Sequence, residues 1–254
     1  MQRKVNFLVA GTQKAATTAL DFYLRLHPEI CMANWKEVHF FDEEKNFIEA
    51  SVNYSIYHSA FSPLPDTRLL GETTPIYMYW KTAPKRIWQY NPEMKFIIIL
   101  RNPIERAYSH WNMERSKKAE TLMFWDAITQ EKKRCQESSP YQHRVYSYID
   151  RGFYSDQLRN LWEYFPKKST LIVRYENLRD KCQKVLDQIF VFLDVTKMPP
   201  FREKYIFSLP YEKTITAQEH AFLVNIFNDE VSKLETMLNW DCSNWLRKPE
   251  RFNR

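Results

Sequence analysis

Short apolar runs alternate along the chain with longer stretches of mixed polarity. Asn6 to Ala10 and Lys95 to Leu100 are apolar almost throughout, the pattern of strands buried on both faces of a parallel sheet. Weaker strand signals fall at Ile30–Met32, Arg68–Glu72 and Thr170–Arg174. Between them the apolar spacing turns helical, over Thr17–Leu26, Phe47–Phe61, Ala83–Tyr90, Ile104–Lys118, Leu122–Cys135, Phe153–Phe165, Leu178–Leu193 and Gln218–Leu238. Gln136–Tyr141 reads as a polar linker and Met198–Lys213 as an irregular, proline-containing loop. Strands alternating with helices predict an α/β fold, a mainly parallel central sheet flanked by helices. With 254 residues and 16% aromatics, the chain suits a single domain over 1–254, large enough for a sizeable core.

The first strand runs into a tight turn and then a helix start: Gly11, Thr12, Gln13, Lys14, Ala15, Ala16, Thr17, Thr18. A strand, a phosphate-sized turn and a helix N-terminus make an anion site, because backbone N–H groups and the helix dipole point at one place. Lys14 adds a mobile cation, and Thr17 and Thr18 add hydroxyls. The turn is not a P-loop of the kinase kind, G-x-x-x-x-G-K-[ST]: Ala16 stands at the second glycine position, and Ala15, not a metal-holding hydroxyl, follows the lysine. A dinucleotide fingerprint fails as well, since the chain has only three glycines. The plain reading of this segment is an ordinary strand-to-helix turn with a surface lysine.

The Lys95–Leu100 strand ends in Arg101-Asn-Pro-Ile-Glu-Arg-Ala-Tyr-Ser-His110. Arg101 stands at a carboxyl strand end, where open α/β sheets bind ligands, and Pro103 suits a first helical turn. Arginine binds phosphate bidentately, and Ser109, two turns on, adds a donor. The competing reading pairs Arg101 with Glu105 across one helical turn.

Together the two segments, Gly11–Leu20 and Leu100–His110, resemble the sulfotransferases that use 3′-phosphoadenosine 5′-phosphosulfate (PAPS). The resemblance continues through Lys36-Glu-Val-His-Phe-Phe-Asp42, Gly71-Glu-Thr-Thr-Pro-Ile-Tyr77, Arg151-Gly-Phe-Tyr154 and Asp241–Leu246, and so covers nearly the whole chain in order. It is greatest to the branch holding heparan-type and bacterial enzymes. The resemblance implies a P-loop-like nucleotide-binding fold. It assigns the 5′-phosphosulfate to the first loop and the 3′-phosphate to the second, with 3′,5′-adenosine bisphosphate as product. It also implies that Gly152 and Phe153 approach the adenine, the alternative being a plain helix start there. Lys204 or Lys213 would close over the 3′-phosphate.

Sulfuryl transfer needs a cation at the leaving oxygen, a base for the acceptor proton and donors for the sulfuryl oxygens. Lys14 is the candidate cation. Glu37 is the first choice of base, since it follows the second strand and emerges on the same sheet edge as Lys14; the resemblance assigns it that role. His39 is the rival, with an ordinary pKa suited to neutral pH, or else a wall histidine. Asp42 either meets the acceptor or caps a turn. Glu72 orients the acceptor, anchors Lys14 or caps the following turn, and Tyr77 lines the acceptor cleft or packs in the core.

The chain departs from heparan-type members at Thr73 and Thr18, where they usually carry Lys and often Arg, and in lacking their C-terminal cysteine pair. Less positive charge on the acceptor side favours a small acceptor, such as a natural-product hydroxyl or a sugar, over a polyanionic chain. The net charge of +6, from 37 basic and 31 acidic residues, suits an anionic co-substrate, and the basic residues form no nucleic-acid module. Six scattered histidines and four distant cysteines give no metal spacing. With no membrane-length apolar run and no leader, a cytoplasmic enzyme without a metal is expected. Oligomeric state has no signature in the sequence. The alternatives are a nucleotide-dependent small-molecule kinase and a non-catalytic nucleotide-binding protein.

Overall fold

A computed structural model describes residues 3–49, 51–138, 142–200 and 214–247. In chain order the strands are β1 (Phe7–Gly11), β2 (Ile30–Met32), β3 (Leu69–Thr73), β4 (Lys95–Leu100) and β5 (Thr170–Arg174). The helices are α1 (Thr17–Arg25), α2 (Tyr54–His58), α3 (Ala83–Tyr90), α4 (Pro103–Ser116), α5 (Phe124–Thr129), α6 (Glu131–Ser138), α7 (Tyr154–Tyr164), α8 (Tyr175–Asp180), α9 (Cys182–Leu193) and α10 (Ala217–Leu238). Internal contacts divide the chain into two compact units, Met1–Leu100 with Leu158–Phe207, and Arg101–Gln157 with Ser208–Arg254.

The first unit holds a five-stranded sheet in the order β2-β3-β1-β4-β5, every pairing parallel. It is the α/β sheet that the alternating pattern predicts. Alternation along the strands divides the core. Phe7 and Val9 of β1 and Ile97 and Ile99 of β4 pack with Leu20 and Leu24 of α1 and Ile189 and Phe190 of α9 on one face. On the other face Phe96 meets Phe165, ring centroids 4.7 Å apart, beyond the end of α7. Because the strands are parallel, the carboxyl ends of β1, β3 and β4 open on one edge.

Three helical stretches differ from the sequence reading. Phe47–Phe61 is not one helix: the chain makes a short 3-10 turn at Glu44–Phe47 and then α2, whose start is capped by Asn53 accepting from Ser55 N–H at 3.1 Å. The interleaved aromatics of this stretch serve a ring cluster instead, Phe40 lying against Phe47, Tyr54 and Tyr57. Leu122–Cys135 breaks at Gln130 into α5 and α6, and Glu131 turns inward to accept the N–H groups of Ile149 and Asp150 at 2.7 and 2.8 Å. Leu178–Leu193 breaks at Lys181, which leaves the helical region, giving α8 and α9. Most of the Met198–Lys213 loop, with Lys204 and Lys213, lies outside the described residues, as does the end of the Gln136–Tyr141 linker.

The second unit is helical among its described residues. Ile104, Tyr108 and Trp111 of α4 pack with Phe124 of α5 and Leu223 and Phe227 of α10. α10 begins with a capping box, the side chains of Thr216 and Glu219 each satisfying the other's backbone N–H.

Gly71 marks the tightest packing in the sheet. A Cβ there would stand 2.2 Å from the ring of Phe7, its register partner on β1, which is itself fully buried. Gly71→Ala therefore overpacks the β1–β3 seam and is expected to cost about 1–3 kcal/mol, read as a lower urea midpoint at unchanged slope. An unchanged midpoint would show that the Phe7 ring has room to move.

Candidate active site

β1 is held against β3 and β4, so the chain leaves the sheet at Gly11 with little freedom. The space above Gly11 is taken by Met78, whose Sδ would lie 2.8 Å from an added Cβ. Thr12 then ties the turn to the neighbouring strand: its N–H and its hydroxyl both donate to the Ile99 carbonyl, at 2.9 and 2.8 Å. The turn closes with Ala15 N–H on the Thr12 carbonyl, and α1 starts with Leu20 N–H on the Ala16 carbonyl. Lys14 and Ala16 both adopt left-handed backbone, φ 72° and 62°. No side chain caps α1, and its first turn carries no acid. An uncapped helix N-terminus under a turn with a lysine suits an anion, which would supply the missing acceptor. Thr73 Oγ1 at the carboxyl end of the adjacent β3 is buried with no hydrogen-bond partner among the described residues, a further donor of the kind an oxyanion takes up.

Glu37 is anchored at the same edge, its N–H donating to the Thr73 carbonyl at 2.9 Å. Parallel pairing of β1 with β3 thus brings the turn of Lys14 and the segment of Glu37 to neighbouring strand ends. Glu37 and His39 are left-handed as well, φ 63° and 56°. Among the described residues, the other three non-glycine residues with positive φ, Lys118, Asp194 and Asn239, lie just beyond helix C-termini, where that conformation is ordinary. Lys14, Ala16, Glu37 and His39 have no such excuse, and each left-handed residue costs about 1 kcal/mol or more.

The strain sets up a row of charges. Lys36 pairs with Glu37 Oε1, Glu37 Oε2 lies 3.5 Å from His39 Nε2, and His39 Nδ1 hydrogen-bonds Asp42 Oδ2 at 2.9 Å. Asp42 is fully buried, whereas Glu37 and His39 keep roughly a third of their side-chain surface exposed. Burial alone would raise the Glu37 carboxyl, but the hydrogen bond from His39 and the charge of Lys36 outweigh it and bring it down to about 2. The bonds to Asp42 and then to Glu37 hold the imidazole up at about 9 against its burial. At neutral pH the pair is therefore carboxylate and imidazolium. Lys36, unremarked in the sequence pattern, completes the row; its only signal is its place beside Glu37.

Glu72, read as an acceptor contact, an anchor for Lys14 or a turn cap, and Tyr77, read as cleft lining or core, lie inside the fold, 0% and 1% exposed. Strand alternation turns Glu72 away from the face where Gly71 meets Phe7. Its carboxyl accepts the hydroxyls of Tyr57 at 2.7 Å and Thr74 at 2.9 Å. Burial dominates these bonds and raises it to about 7. The Tyr77 hydroxyl faces the Glu37–Asp42 segment, accepting from Phe40 N–H at 2.9 Å. Tyr57 was not singled out by the sequence, where it reads as one aromatic of a helical stripe.

In the second unit, Arg101 Nε and one terminal nitrogen bond Glu105 Oε2 at 3.2 and 2.9 Å, so the helix-turn pairing weighed from the sequence is made. Asn102 caps α4, accepting from Ile104 N–H at 2.9 Å, and Ser109 is buried on that helix. Gly152 is buried with the Phe227 ring 2.5 Å from where a Cβ would stand, and Phe153 packs on the same ring at 5.6 Å between centroids. Close packing against α10 thus accounts for Gly152 by itself. Among the described residues no cluster of three or more metal-ligating side chains occurs, and no helix is long and apolar enough to cross a membrane.

The model of the sulfotransferase domain family matches residues 4–245. Among curated proteins, bifunctional heparan sulfate N-deacetylase/N-sulfotransferase 3 of Mus musculus is 29% identical over 278 aligned positions, covering 97% of this chain and 31% of that protein. Heparan sulfate glucosamine 3-O-sulfotransferase 6 of Homo sapiens is 30% identical over 177 positions, covering 67% of this chain and 46% of that one. The chain thus spans about a third to a half of the length of these relatives. Among solved structures, a sulfotransferase from Alicyclobacillus acidocaldarius superposes with a TM-score of 0.82 at 23% identity, over 96% of this chain and 100% of that one, a likeness of fold.

The buried Glu72 carboxyl makes stability depend on pH. Its folded-state pKa is raised, so the folded protein holds the proton more tightly than the unfolded chain, and stability falls as pH rises from 4.5 to about 7. Glu72→Gln keeps the shape of the neutral acid and is expected to flatten that interval, leaving the variant more stable above pH 7 by up to about 3 kcal/mol. Melting temperatures of both proteins across pH 4 to 8 check this (roughly the span over which the shifted group titrates); parallel curves would refute it.

Proposed function

The chain belongs to the sulfotransferase family, and we propose that it moves a sulfuryl group from PAPS to a hydroxyl, less readily an amine, of a small natural product or sugar. Sulfuryl transfer in general follows from the family; the donor, the acceptor class and the residue roles are our reading. The observation that carries it is the placement of Glu37 and His39, 3.5 Å apart, at the strand end next to an uncapped, lysine-bearing anion turn.

PAPS supplies, when bound, a sulfuryl group already activated by its phosphate. The turn from Gly11 to Thr18 fits that phosphate end through its helix N-terminus and Lys14. Lys14 neutralises charge gathering on the leaving oxygen. Glu37, open to solvent and ionised, takes the acceptor's proton as the acceptor oxygen attacks. His39 already carries its proton at neutral pH, which removes it as the base and makes it a donor that holds Glu37 in place. Arg101 and Ser109 take the second phosphate and Phe153 the adenine, with Gly152 beside it. Asp42 orients His39 from within. The relatives named for heparan sulfate act on a sugar chain by their names; here the loss of acceptor-side lysine at Thr73 favours a smaller acceptor.

Calorimetric titration with 3′,5′-adenosine bisphosphate tests the donor. Binding without magnesium is expected, and no binding would overturn the reading; magnesium-dependent ATP binding would favour a kinase. Arg101→Ala should weaken that binding by about 1.5–3 kcal/mol, roughly tenfold to a hundredfold. Lys14→Ala should lower turnover more than it lowers affinity for the bisphosphate. In a screen for sulfate transfer from PAPS, Glu37→Gln is expected to reduce kcat by about 10²- to 10⁴-fold with bisphosphate affinity unchanged. Full turnover in that variant would remove Glu37 as base, and binding without any turnover in the wild type would favour a non-catalytic protein.

A further inference from the structure

Glu37 and His39 sit in a strained loop, and their own side chains do not hold its backbone. We propose that Tyr77 is the positioning residue for this loop: its buried phenol pins the backbone between His39 and Asp42 and so keeps His39 between its two carboxyl partners. This rests on the reading of Glu37 and His39 as the catalytic pair.

A tyrosine hydroxyl has one proton to give and two lone pairs to accept with. That of Tyr77 accepts Phe40 N–H at 2.9 Å, with Phe41 N–H farther off at 3.5 Å, and the buried Glu72 carboxyl acts on it electrostatically. Phe40 and Phe41 are the two residues between His39 and Asp42, so whatever holds their backbone sets the spacing of that hydrogen bond. Arg86 holds the Phe41 carbonyl at 3.0 Å from the opposite direction. The rings repeat the arrangement: Phe40 stacks on Tyr57 at 4.9 Å, and Phe41 meets Tyr77 edge-on at 5.5 Å.

Tyr77 is itself well placed to transmit stiffness. Its N–H donates to the Thr74 carbonyl at 3.2 Å, and the next residue, Met78, donates its N–H to the Ala10 carbonyl at 3.0 Å. Met78 also fills the space above Gly11. One short segment after β3 therefore braces both the anion turn and the Glu37 loop. Unpinned, Phe40 N–H would be a buried donor without an acceptor, a cost that the loop escapes only by moving.

Two measurements test this on the whole chain. In the wild type the Phe40 amide should exchange with solvent as slowly as sheet amides, although no backbone carbonyl accepts from it; exchange as fast as an open loop would overturn the proposal, whatever becomes of any variant. In Tyr77→Phe that exchange should accelerate about fivefold or more. The NMR titration midpoint of the His39 ring, assigned with His39→Gln, should fall by about one pH unit or more toward the ordinary histidine value, a tenfold change in proton affinity. Tyr57→Phe removes a bond to Glu72 but none to the loop and should leave the midpoint in place. An unchanged midpoint in Tyr77→Phe, or equal falls in both variants, would overturn the proposal. The groups facing His39 and its brace, Lys36, Glu37, Asp42 and Glu72, remain in every variant. Failure of 3′,5′-adenosine bisphosphate to bind would end the functional reading without touching these outcomes.

Discussion

Everything at the candidate site depends on the parallel pairing of β1 and β3. Their register, Phe7 with Gly71 through Val9 with Thr73, sends both carboxyl ends to one edge. The pairing is close because Gly71 leaves room for the Phe7 ring, so the seam is set by sterics as much as by hydrogen bonds. From the end of β1 the chain turns into α1 with its helix dipole aimed outward. From the end of β3 a carbonyl takes the N–H of Glu37. Two segments far apart in sequence become neighbours through backbone geometry that any sheet of this register would impose.

The charges follow from that placement. A carboxylate, an imidazolium and a second, buried carboxylate in a row stabilise one another's ionised forms, and the partial exposure of the first two keeps them chemically available. The backbone conformations required are unfavourable for residues with side chains. Such strain persists only where surrounding packing over-determines it, and here the packing is a cluster of aromatic rings around Phe40 and Phe41 with hydroxyls turned inward. Rigid surroundings and strained functional residues are two sides of one arrangement.

Much of the fold was legible in the chain. The apolar runs read as buried strands are β1 and β4, and α1, α3 and α10 came within a residue or two of their sequence bounds. The failures share a cause. Phe47–Phe61 looked helical because aromatic residues recur in it, but they recur to meet rings from elsewhere, and periodicity cannot tell a stripe on one helix from a cluster gathered around a loop. The break at Gln130 likewise goes with a tertiary partner, Glu131 turning to the N–H groups of Ile149 and Asp150, and not with proline or glycine.

The sequence by itself determined the local chemistry: a strand, a lysine-bearing turn and a helix start; a glutamate and a histidine two residues apart; an arginine that closes a buried strand. These are short-range facts, written in residues that are neighbours in the chain. Only the tertiary structure decided that Glu37, His39 and Asp42 stand in one row, and that Glu72 and Tyr77 are buried. The bonds of Tyr57 to Glu72 and of Phe40 to Tyr77 join residues 15 and 37 apart along the chain. No pattern of spacing records a distance that exists only once the sheet has formed.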